Sequence, residues 1–399
     1  MKLPTLKNLN LERKSVLLRI DINSPVVKGK ILDNPRFEAS VKTIKYLIKK
    51  EAKITIIAHQ GRKGDKDYTS LEQHASLLSK YIKKKIAYVD DLFGEKAGRA
   101  IANLKPKQII LLKNVRFYED EVNINDKKNH YPQFCKLFEL YVNEAFSVSH
   151  RKQSSIMLLP KYLPSSVGFE FEKELKALEN FSKYSVKKRI FILGGAKIDD
   201  YLPIFENLKN KNNKILAAGV LGNILLIIKG YNLGYENLWL KNHGHLILMP
   251  QLKKLYKKYK DQIILPTDFG LITEKGKRLD VNLKQAPYKY KVYDVGEKTI
   301  EIFKGYLEQA DYIFMKGPLG FSEIEKFSYG TKKILRYVSD LTKNKKTFSI
   351  LGGGHLSTTI SKYKILNNFS YVSLSGGALI QYISGEKLPG ILAIEKSKK

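Results

Sequence analysis

Short apolar runs alternate with longer amphipathic stretches along this chain, and no other feature of the sequence constrains the fold as strongly. The first runs cover residues 16–20, 54–58 and 86–89, and stretches with helical spacing at 41–50 and 71–82 separate them. Strands and helices that alternate at this spacing are typical of βαβ units. We therefore predict two doubly wound, Rossmann-like α/β domains with mainly parallel sheets, joined by a connecting helix. The later apolar runs that continue the pattern are 109–112, 140–142, 190–193, 215–218, 263–265, 312–315 and 348–351.

The length of 399 residues exceeds one ordinary core and predicts two domains. A charged stretch with an apolar stripe at Phe171, Leu175 and Leu178 has the pattern of a connecting helix, and the basic segment after it has no strand pattern. We expect an N-terminal domain over residues 1–170, the connecting helix over 171–185 and a C-terminal domain over 186–385. Residues 386–399 are expected to return toward the N-terminal domain.

Ligands of doubly wound sheets bind beyond the carboxyl ends of the strands. In the first half of the chain, the residues after the predicted strands are polar and mostly basic. Several arginines at one sheet edge suit a small, highly charged acid, because guanidinium groups pair bidentately with carboxylate and phosphate. Each arginine alone could be a solvated surface charge, and His59 and His150 could be hydrogen-bonded core histidines. The candidate residues are Asp21, Asn23, Arg36, His59, Arg62, Asn114, Arg116, Asn143, Glu144, His150 and Arg151.

In the second half the predicted strand ends are rich in glycine. The run 190–193 leads into Gly194, Gly195, Ala196 and Lys197, and helical spacing then resumes to Asn207. Glycines at a strand-to-helix junction let backbone N–H groups face an anion, and a lysine adds charge, so this junction predicts a phosphate site although it matches neither standard nucleotide motif. Further glycines follow the later runs, at 219, 317, 320, 352–354 and 376–377. Together they predict a nucleotide domain.

The net charge of +32, from 71 Lys plus Arg against 39 Asp plus Glu, would attract any polyanion. The lysines are spread along the whole chain without a recognisable nucleic-acid motif, so no specific nucleic-acid partner is expected. No apolar run is long enough to span a membrane, and none has the form of a signal peptide. The single cysteine, Cys135, cannot form an internal disulfide. These features predict a cytoplasmic protein.

Several ordered motifs carry a resemblance over essentially the whole chain. The sequence resembles phosphoglycerate kinase, and most closely its archaeal branch. The motifs are Arg19-Ile-Asp21-Ile-Asn23-Ser-Pro25, Ala58-His59-Gln-Gly-Arg62, Leu112-Lys-Asn114-Val-Arg116-Phe117, Tyr141-Val-Asn-Glu-Ala145-Phe, Gly194-Gly-Ala-Lys197, Gly317-Pro-Leu-Gly320 and Gly352-Gly-Gly-His355.

The resemblance implies a monomeric two-domain kinase that transfers a phosphoryl group reversibly between 1,3-bisphosphoglycerate and MgADP, in line and after hinge closure, giving 3-phosphoglycerate and MgATP in glycolysis and gluconeogenesis. Arg36 and Lys197 would flank the transferred group. Seven of the polar residues listed above would bind 3-phosphoglycerate, namely Asp21, Asn23, Arg36, His59, Arg62, Arg116 and Arg151. Pro318 would lie near the adenosine, and Glu323 would accept from the ribose hydroxyls. The other nucleotide-binding residues would be Gly194, Gly195, Gly219, Gly352, Gly353, Gly354 and His355.

Three departures from the commoner pattern of that family affect the nucleotide side. Tyr201 replaces a second lysine, Lys316 replaces an asparagine, and His355 replaces an aspartate that holds Mg²⁺. The archaeal branch resembles this sequence at His355 and also lacks the lysine at 201. Imidazole is a poor Mg²⁺ ligand, so we expect Asp200, one turn into the predicted helix, to bind the metal. The alternative is that Asp199 or Asp200 only complements its helix N-terminus. The alternative function is a non-catalytic relative that binds anions or nucleic acid.

Overall fold

The structure is a computed structural model, and it describes residues 3–182, 187–345, 347–353, 356, 360, 363, 365 and 368–397. The chain divides into two compact units. Unit 1 comprises Met1–Lys176 and Lys387–Lys399, and unit 2 comprises Ala177–Glu386. Each unit contains one large parallel sheet, so the predicted fold class is confirmed. Among the described residues, no helix has both the length and the apolar character needed to cross a bilayer.

The strands of unit 1 are β1 (Ser15–Arg19), β2 (Val26–Val27), β3 (Lys30–Ile31), β4 (Lys53–Ile57), β5 (Ala87–Val89), β6 (Ile109–Leu112), β7 (Leu140–Asn143) and β8 (Ser165–Val167). Apart from the β2–β3 hairpin they form one parallel sheet in the order β5-β6-β4-β1-β7-β8. Val16 and Leu18 pack into one core and Leu17 into another, because successive side chains of a strand point to opposite faces. Both faces of β1 are therefore covered.

The helices of unit 1 are α1 (Pro35–Lys49), α2 (Glu72–Ile82), α3 (Glu95–Ala102), α4 (Tyr131–Cys135), α5 (Ser154–Met157), α6 (Leu159–Tyr162) and the first part of α7 (Phe169–Ser182), with 3₁₀ helices at Leu6–Asn8, Val115–Phe117, Glu119–Glu121 and Phe146–Val148. α7 begins before the expected residue 171, because the Glu144 carboxylate accepts from the backbone N–H groups of Glu170 at 3.2 Å and Phe171 at 3.1 Å. The division between units falls inside α7. The expected end of this helix at residue 185 lies outside the described residues.

The strands of unit 2 are β9 (Arg189–Leu193), β10 (Lys214–Ala217), β11 (Ile263–Ile264), β12 (Asp268–Ile272), β13 (Arg278–Asn282), β14 (Lys291–Val295), β15 (Tyr312–Lys316), β16 (Phe348–Gly352) and β17 (Tyr371–Ser373). The parallel sheet has the order β11-β10-β9-β15-β16-β17, and β13-β12-β14 form a separate antiparallel sheet. The antiparallel sheet was not predicted. It covers a small core of its own that includes Phe269 and Leu271.

The described helices of unit 2 are α8 (Gly219–Ile228), α9 (Tyr235–Asn242), α10 (Met249–Tyr259), α11 (Glu297–Leu307), α12 (Tyr329–Asn344) and α13 (Gly377–Ile383), with 3₁₀ helices at Asp199–Lys209, His245–Leu248, Lys260–Gln262, Leu283–Gln285 and Glu325–Phe327. The last helix, α14 (Pro389–Glu395), belongs to unit 1, where Gly390 N–H donates to Ser149 O at 2.8 Å. A Cβ at Gly390 would lie 2.8 Å from the Ile156 side chain, so the glycine permits this close packing.

Candidate functional sites

The candidate acid site of unit 1 lies at the carboxyl ends of β1, β4, β6 and β7. Asp21 follows β1, and its carboxylate accepts from the Arg36 guanidinium and from the Ser147 hydroxyl. Arg36 is in the first turn of α1, where Asn34 Oδ1 accepts from its backbone N–H at 3.0 Å. Burial lowers the pKa of Arg36, and the charge of Glu174 opposes that effect. The helix cap and the carboxylate thus hold Arg36 at the sheet edge.

The turn after β4 is fixed by Asn23 and Arg116. Asn23 Oδ1 accepts from Gly61 N–H at 2.9 Å, and the Arg116 guanidinium donates to Gly61 O. Gly61 has φ +63°, and a Cβ there would lie 2.5 Å from Asp67 O, so only glycine fits this turn. Arg62 follows on the exposed side of the same turn. These hydrogen bonds bring three of the predicted residues to one place.

His59 lies where the charges of four arginines meet. It is buried, and burial together with the charges of Arg19, Arg116, Arg36 and Arg151 moves the pKa of its imidazole well below the usual value. Arg19 Nη2 lies 3.1 Å from His59 Nδ1. A guanidinium only donates, so Nδ1 is the acceptor and the neutral ring carries its proton on Nε2. His59 is therefore a neutral ring whose Nε2–H can donate a hydrogen bond.

The arginine cluster carries more positive charge than its carboxylates balance. Burial, followed by the charges of Arg19 and Arg151, lowers the pKa of Arg116 to about 10. In the described part of the chain, the buried Nε of Arg151 has no hydrogen-bond partner. Arg62 lowers the pKa of both Arg116 and Arg151 further. Buried like charges are costly, so this geometry suits a multivalent anion.

Arg19 was missing from the predicted site, although its motif was recognised. Its side chain is fully buried, and its guanidinium donates to Ser155 Oγ at 3.1 Å and to Ile20 O at 2.5 Å. Ser155 in turn donates from Oγ to the Glu121 carboxylate at 2.7 Å. The sequence did contain a signal for this residue. Arg19 lies within the apolar run 16–20, and a charge buried in a strand needs specific hydrogen-bond and charge partners.

The candidate nucleotide site of unit 2 is a cavity of about 370 Å³ beside the glycine-rich strand ends. This volume is within the range of small-molecule sites. Seven predicted residues line it, together with Lys316 and an aromatic group described below. The seven are Gly195, Lys197, Asp200, Gly219, Pro318, Glu323 and Gly353.

Glycines at this end of the sheet serve close packing. Gly194 N–H donates to Lys316 O at 2.9 Å, so this amide is not available to an anion, contrary to the expectation for the junction. Gly219 has φ +54°, and a Cβ there would lie 2.7 Å from Gly195 N. At Gly352 a Cβ would collide with the Leu379 side chain. Two predicted residues, Gly354 and His355, lie outside the described residues.

The segment after Lys197 forms a 3₁₀ helix, Asp199–Lys209, instead of the expected α-helix. Pro203 lies inside it, and in an α-helix a proline ring clashes with the carbonyl four residues earlier, which disfavours the α-helical pattern here. Asp200 is therefore in the first turn of a helix and not one turn into it. In the described part of the chain, no cluster of three or more His, Cys, Asp or Glu residues could hold a metal.

Lys316 and Tyr201 together occupy the floor of the cavity. Tyr201 is buried, and its hydroxyl donates to Gly194 O. Lys316 is 5% exposed, and its Nζ lies 3.0 Å from Asp200 Oδ2. Burial lowers the pKa of Lys316, and the charge of Lys197 lowers it further. In the sequence Lys316 stands out only as a departure from a motif, whereas the structure places it in the cavity.

An aromatic group that was not predicted lines the other part of the cavity. Lys291 Nζ lies 3.2 Å from the ring centroid of Trp239, and the rings of Tyr293 and Phe321 stack at 4.7 Å. Aromatic faces bind flat rings and cations. Nothing in the local sequence indicated this group, because α9, β14 and the loop after β15 are far apart in the chain.

The structure therefore has an arginine cluster that suits a small multivalent acid in one doubly wound unit and a cavity of nucleotide size in the other. The profile of the phosphoglycerate kinase family matches residues 6–386. The chain is 38% identical to phosphoglycerate kinase of Archaeoglobus fulgidus over 99% of this chain and 97% of that protein. It is also 38% identical to that of Methanothermus fervidus over 100% of this chain and 98% of that one. The chain therefore belongs to the phosphoglycerate kinase family.

Solved structures agree with this assignment. Phosphoglycerate kinase from Pyrococcus horikoshii superposes with a TM-score of 0.90 at 33% identity, covering 98% of both chains. The enzyme from Coxiella burnetii superposes with a TM-score of 0.80 at 28% identity, covering 100% of both. The predicted family and its kinase activity, phosphoryl transfer to the carboxyl group of 3-phosphoglycerate, are thereby confirmed.

Proposed function

We propose that this chain transfers the phosphoryl group between 1,3-bisphosphoglycerate and MgADP with the acid held in the arginine cluster of unit 1 and the nucleotide in the cavity of unit 2. The excess positive charge around Arg116 carries this proposal. A phosphate monoester has a charge of about −1.5 to −2 at neutral pH, and the carboxylate of 3-phosphoglycerate adds one more. Burial and, after it, repulsion from neighbouring arginines lower the pKa of Arg116 to about 10, and such a ligand would offset that repulsion.

Seven residues are proposed to bind 3-phosphoglycerate. Arg36 would meet the transferred group from the acid side, and Lys197 would meet it from the nucleotide side. Positioning and charge neutralisation supply most of the catalysis in phosphoryl transfer, so no covalent intermediate is required. The seven are Asp21, Asn23, Arg36, His59, Arg62, Arg116 and Arg151.

The nucleotide would lie with its phosphates near Lys197 and its base near the aromatic group of Trp239 and Tyr293. Gly195 and Gly219 would approach the phosphates, while Pro318 and Glu323 would contact the nucleoside. Gly194 and Gly352 would act through packing, and Gly353 lines the cavity. Gly354 and His355 stay predicted phosphate contacts.

Asp200 is the proposed protein ligand of the Mg²⁺ that accompanies ATP or ADP. Its carboxylate lines the cavity and is 38% exposed in its side chain. Mg²⁺ usually binds one or two carboxylates together with substrate phosphates and water, so a single carboxylate fits this ion. Oδ2 accepts from Lys316, and the second oxygen can serve the metal. When bound, the ion would neutralise charge on the phosphates.

A coupled assay with 3-phosphoglycerate and MgATP tests the proposed function. Turnover that depends on both substrates is the expected result. Absence of turnover, together with salt-sensitive binding of RNA or DNA through the +32 charge, would instead favour the non-catalytic alternative. We also propose that the protein acts as a cytoplasmic monomer, which size-exclusion chromatography with light scattering tests for the oligomeric state.

A further inference from the structure

Lys316 is a buried lysine at the floor of the nucleotide cavity. It is the last residue of β15, and it pairs in the sheet with Leu193, directly before the glycines that lead to Lys197. Its stem passes beside Gly353, where an added Cβ would lie 3.7 Å from Lys316 Cγ. The side chain therefore runs under one glycine-rich strand end.

The surroundings of this ammonium group satisfy only part of its hydrogen-bonding capacity. An ammonium has three N–H donors, and among the described residues Asp200 supplies its one hydrogen-bond acceptor, at 3.0 Å. The Tyr201 ring lies 5.6 Å away and adds a cation–π contact. A lysine this deeply buried is costly unless it has a strong partner, and Asp200 is itself partly exposed.

Lys197 supplies one positive charge on this side of the cavity, and the tyrosine at position 201 cannot supply a second one. Tyr201 is 2% exposed, and its hydroxyl is committed to the backbone oxygen of Gly194. Lys316 reaches the same region from the neighbouring strand, so the cavity has two ammonium groups, on Lys197 and Lys316, near its glycine-rich end. Two lysines suit a polyphosphate, because lysine binds phosphate oxygens as a point charge.

We propose that Lys316 binds the phosphate chain of the nucleotide, and that Asp200 orients its ammonium group toward that chain. The inference rests on the proposed function, since it assumes that the cavity of unit 2 binds nucleotide. It adds a phosphate contact from β15 to the one that Lys197 makes. It also gives Asp200 a positioning role besides metal binding.

Isothermal titration of the full-length protein with adenosine, ADP and ATP, without metal, tests this inference. Lys316→Met keeps the length and apolar stem of the side chain and removes the charge. We expect adenosine affinity to stay at the wild-type value, ADP affinity to fall, and ATP affinity to fall by about 10-fold or more, as for loss of a charge-assisted hydrogen bond. Lys316→Asn, with a smaller polar side chain, should give the same order if the methionine variant does not fold.

Lys291→Met is the matched control, because Lys291 lines the same cavity on the side of Trp239. Any loss of affinity it causes should be equal for the three ligands. Equal losses for the three ligands in the folded Lys316 variants would show that Lys316 only shapes the cavity, and would overturn the inference while leaving the proposed function intact. If the wild-type protein binds neither ADP nor ATP, with or without Mg²⁺, that result contradicts the proposed function itself, and the inference about Lys316 with it.

Discussion

At the scale of single residues, the two candidate sites handle buried charge differently. In unit 1, burial and then the charges of neighbouring arginines lower the pKa of Arg116 and of Arg151. The carboxylates of Asp21, Glu121 and Glu174 balance the arginine charges only in part. In unit 2, Lys316 has a direct carboxylate partner in Asp200. A buried charge without full compensation favours a ligand of opposite charge. The first site is therefore organised for a strongly anionic acid.

Arg36→Ala should lower kcat and not only raise KM. The Arg36 charge is expected to meet the phosphoryl oxygens more strongly in the transition state than in the ground state, and loss of one such donor typically costs on the order of 10²-fold or more. Steady-state kinetics with 3-phosphoglycerate and MgATP measures the effect. Arg99→Ala, which removes an exposed arginine paired with Glu95 on α3, is the control and should behave as wild type. A wild-type kcat in the Arg36 variant would exclude its catalytic role.

Because of His74, the folding stability should decrease as the pH is lowered below about 6.5. Its Nε2 donates to Gln60 Oε1 at 2.9 Å, and its buried Nδ1 has no partner among the described residues, so a second proton has no acceptor. Burial lowers the pKa of His74 to about 4. Below pH 6.5 the His74 imidazole thus binds a proton in the unfolded chain but not in the folded chain. The free energy of unfolding therefore decreases as the pH falls toward 4.

His74→Gln should remove that dependence, which amounts to on the order of 3 kcal/mol between pH 7 and 4. Urea denaturation at several pH values measures it. The substitution can shift the whole curve by loss of a hydrogen bond, so the slope against pH is the criterion. Parallel curves for the variant and the wild type would assign the pH dependence to other groups.

At the scale of elements, the 3₁₀ helix Asp199–Lys209 decides where the proposed metal ligand lies. Its first turn brings Asp200 into the cavity beside Lys316. Asp200→Asn should lower the activity at low Mg²⁺, and the activity should recover partly at high Mg²⁺. An amide binds the ion more weakly than a carboxylate, and a higher Mg²⁺ concentration can offset weaker binding. His355→Ala should alter nucleotide affinity with little change in Mg²⁺ dependence. If only the His355 variant shifts the Mg²⁺ titration, the two roles are reversed.

Gly219 lets the first residue of α8 approach the turn after β9. Alanine there would need the left-handed φ of +54°, and its Cβ would lie 2.7 Å from Gly195 N. We expect Gly219→Ala to destabilise the protein by about 1–3 kcal/mol in denaturant unfolding. Gly305→Ala is the matched control within α11, where an added Cβ meets nothing within 4 Å. The control should gain about 0.5–1 kcal/mol. Equal stability of the two variants would contradict the close-approach explanation.

At the scale of the whole molecule, the proposed acid-binding residues belong to unit 1 and the proposed nucleotide cavity to unit 2. Direct transfer requires the two substrates to meet with water excluded. We predict that 3-phosphoglycerate and a nucleotide together compact the protein, which small-angle scattering measures as a smaller radius of gyration. Each ligand alone serves as the control. Identical profiles with and without both substrates, at demonstrated saturation, would contradict hinge closure.

The fold class and the place of both candidate sites follow from the order of residues along the chain. Short, mostly apolar runs such as 16–20 and 190–193, separated by stretches with helical spacing, predict strands covered on both faces, because such a strand has no solvent-facing side that favours polar residues. Parallel strands bring their carboxyl ends to one edge, so the residues after each run can be grouped by their position in the sequence. His59, Arg116 and Lys197 are identified in this way.

Which charges are buried, and which partners they have, depends instead on how the elements pack. Arg19 meets Ser155, and Lys316 meets Asp200, across 136 and 116 residues of chain. The aromatic group around Trp239 likewise combines three separate elements. No local pattern encodes such pairs, because burial and hydrogen bonding depend on distances that exist only after the strands and helices have packed.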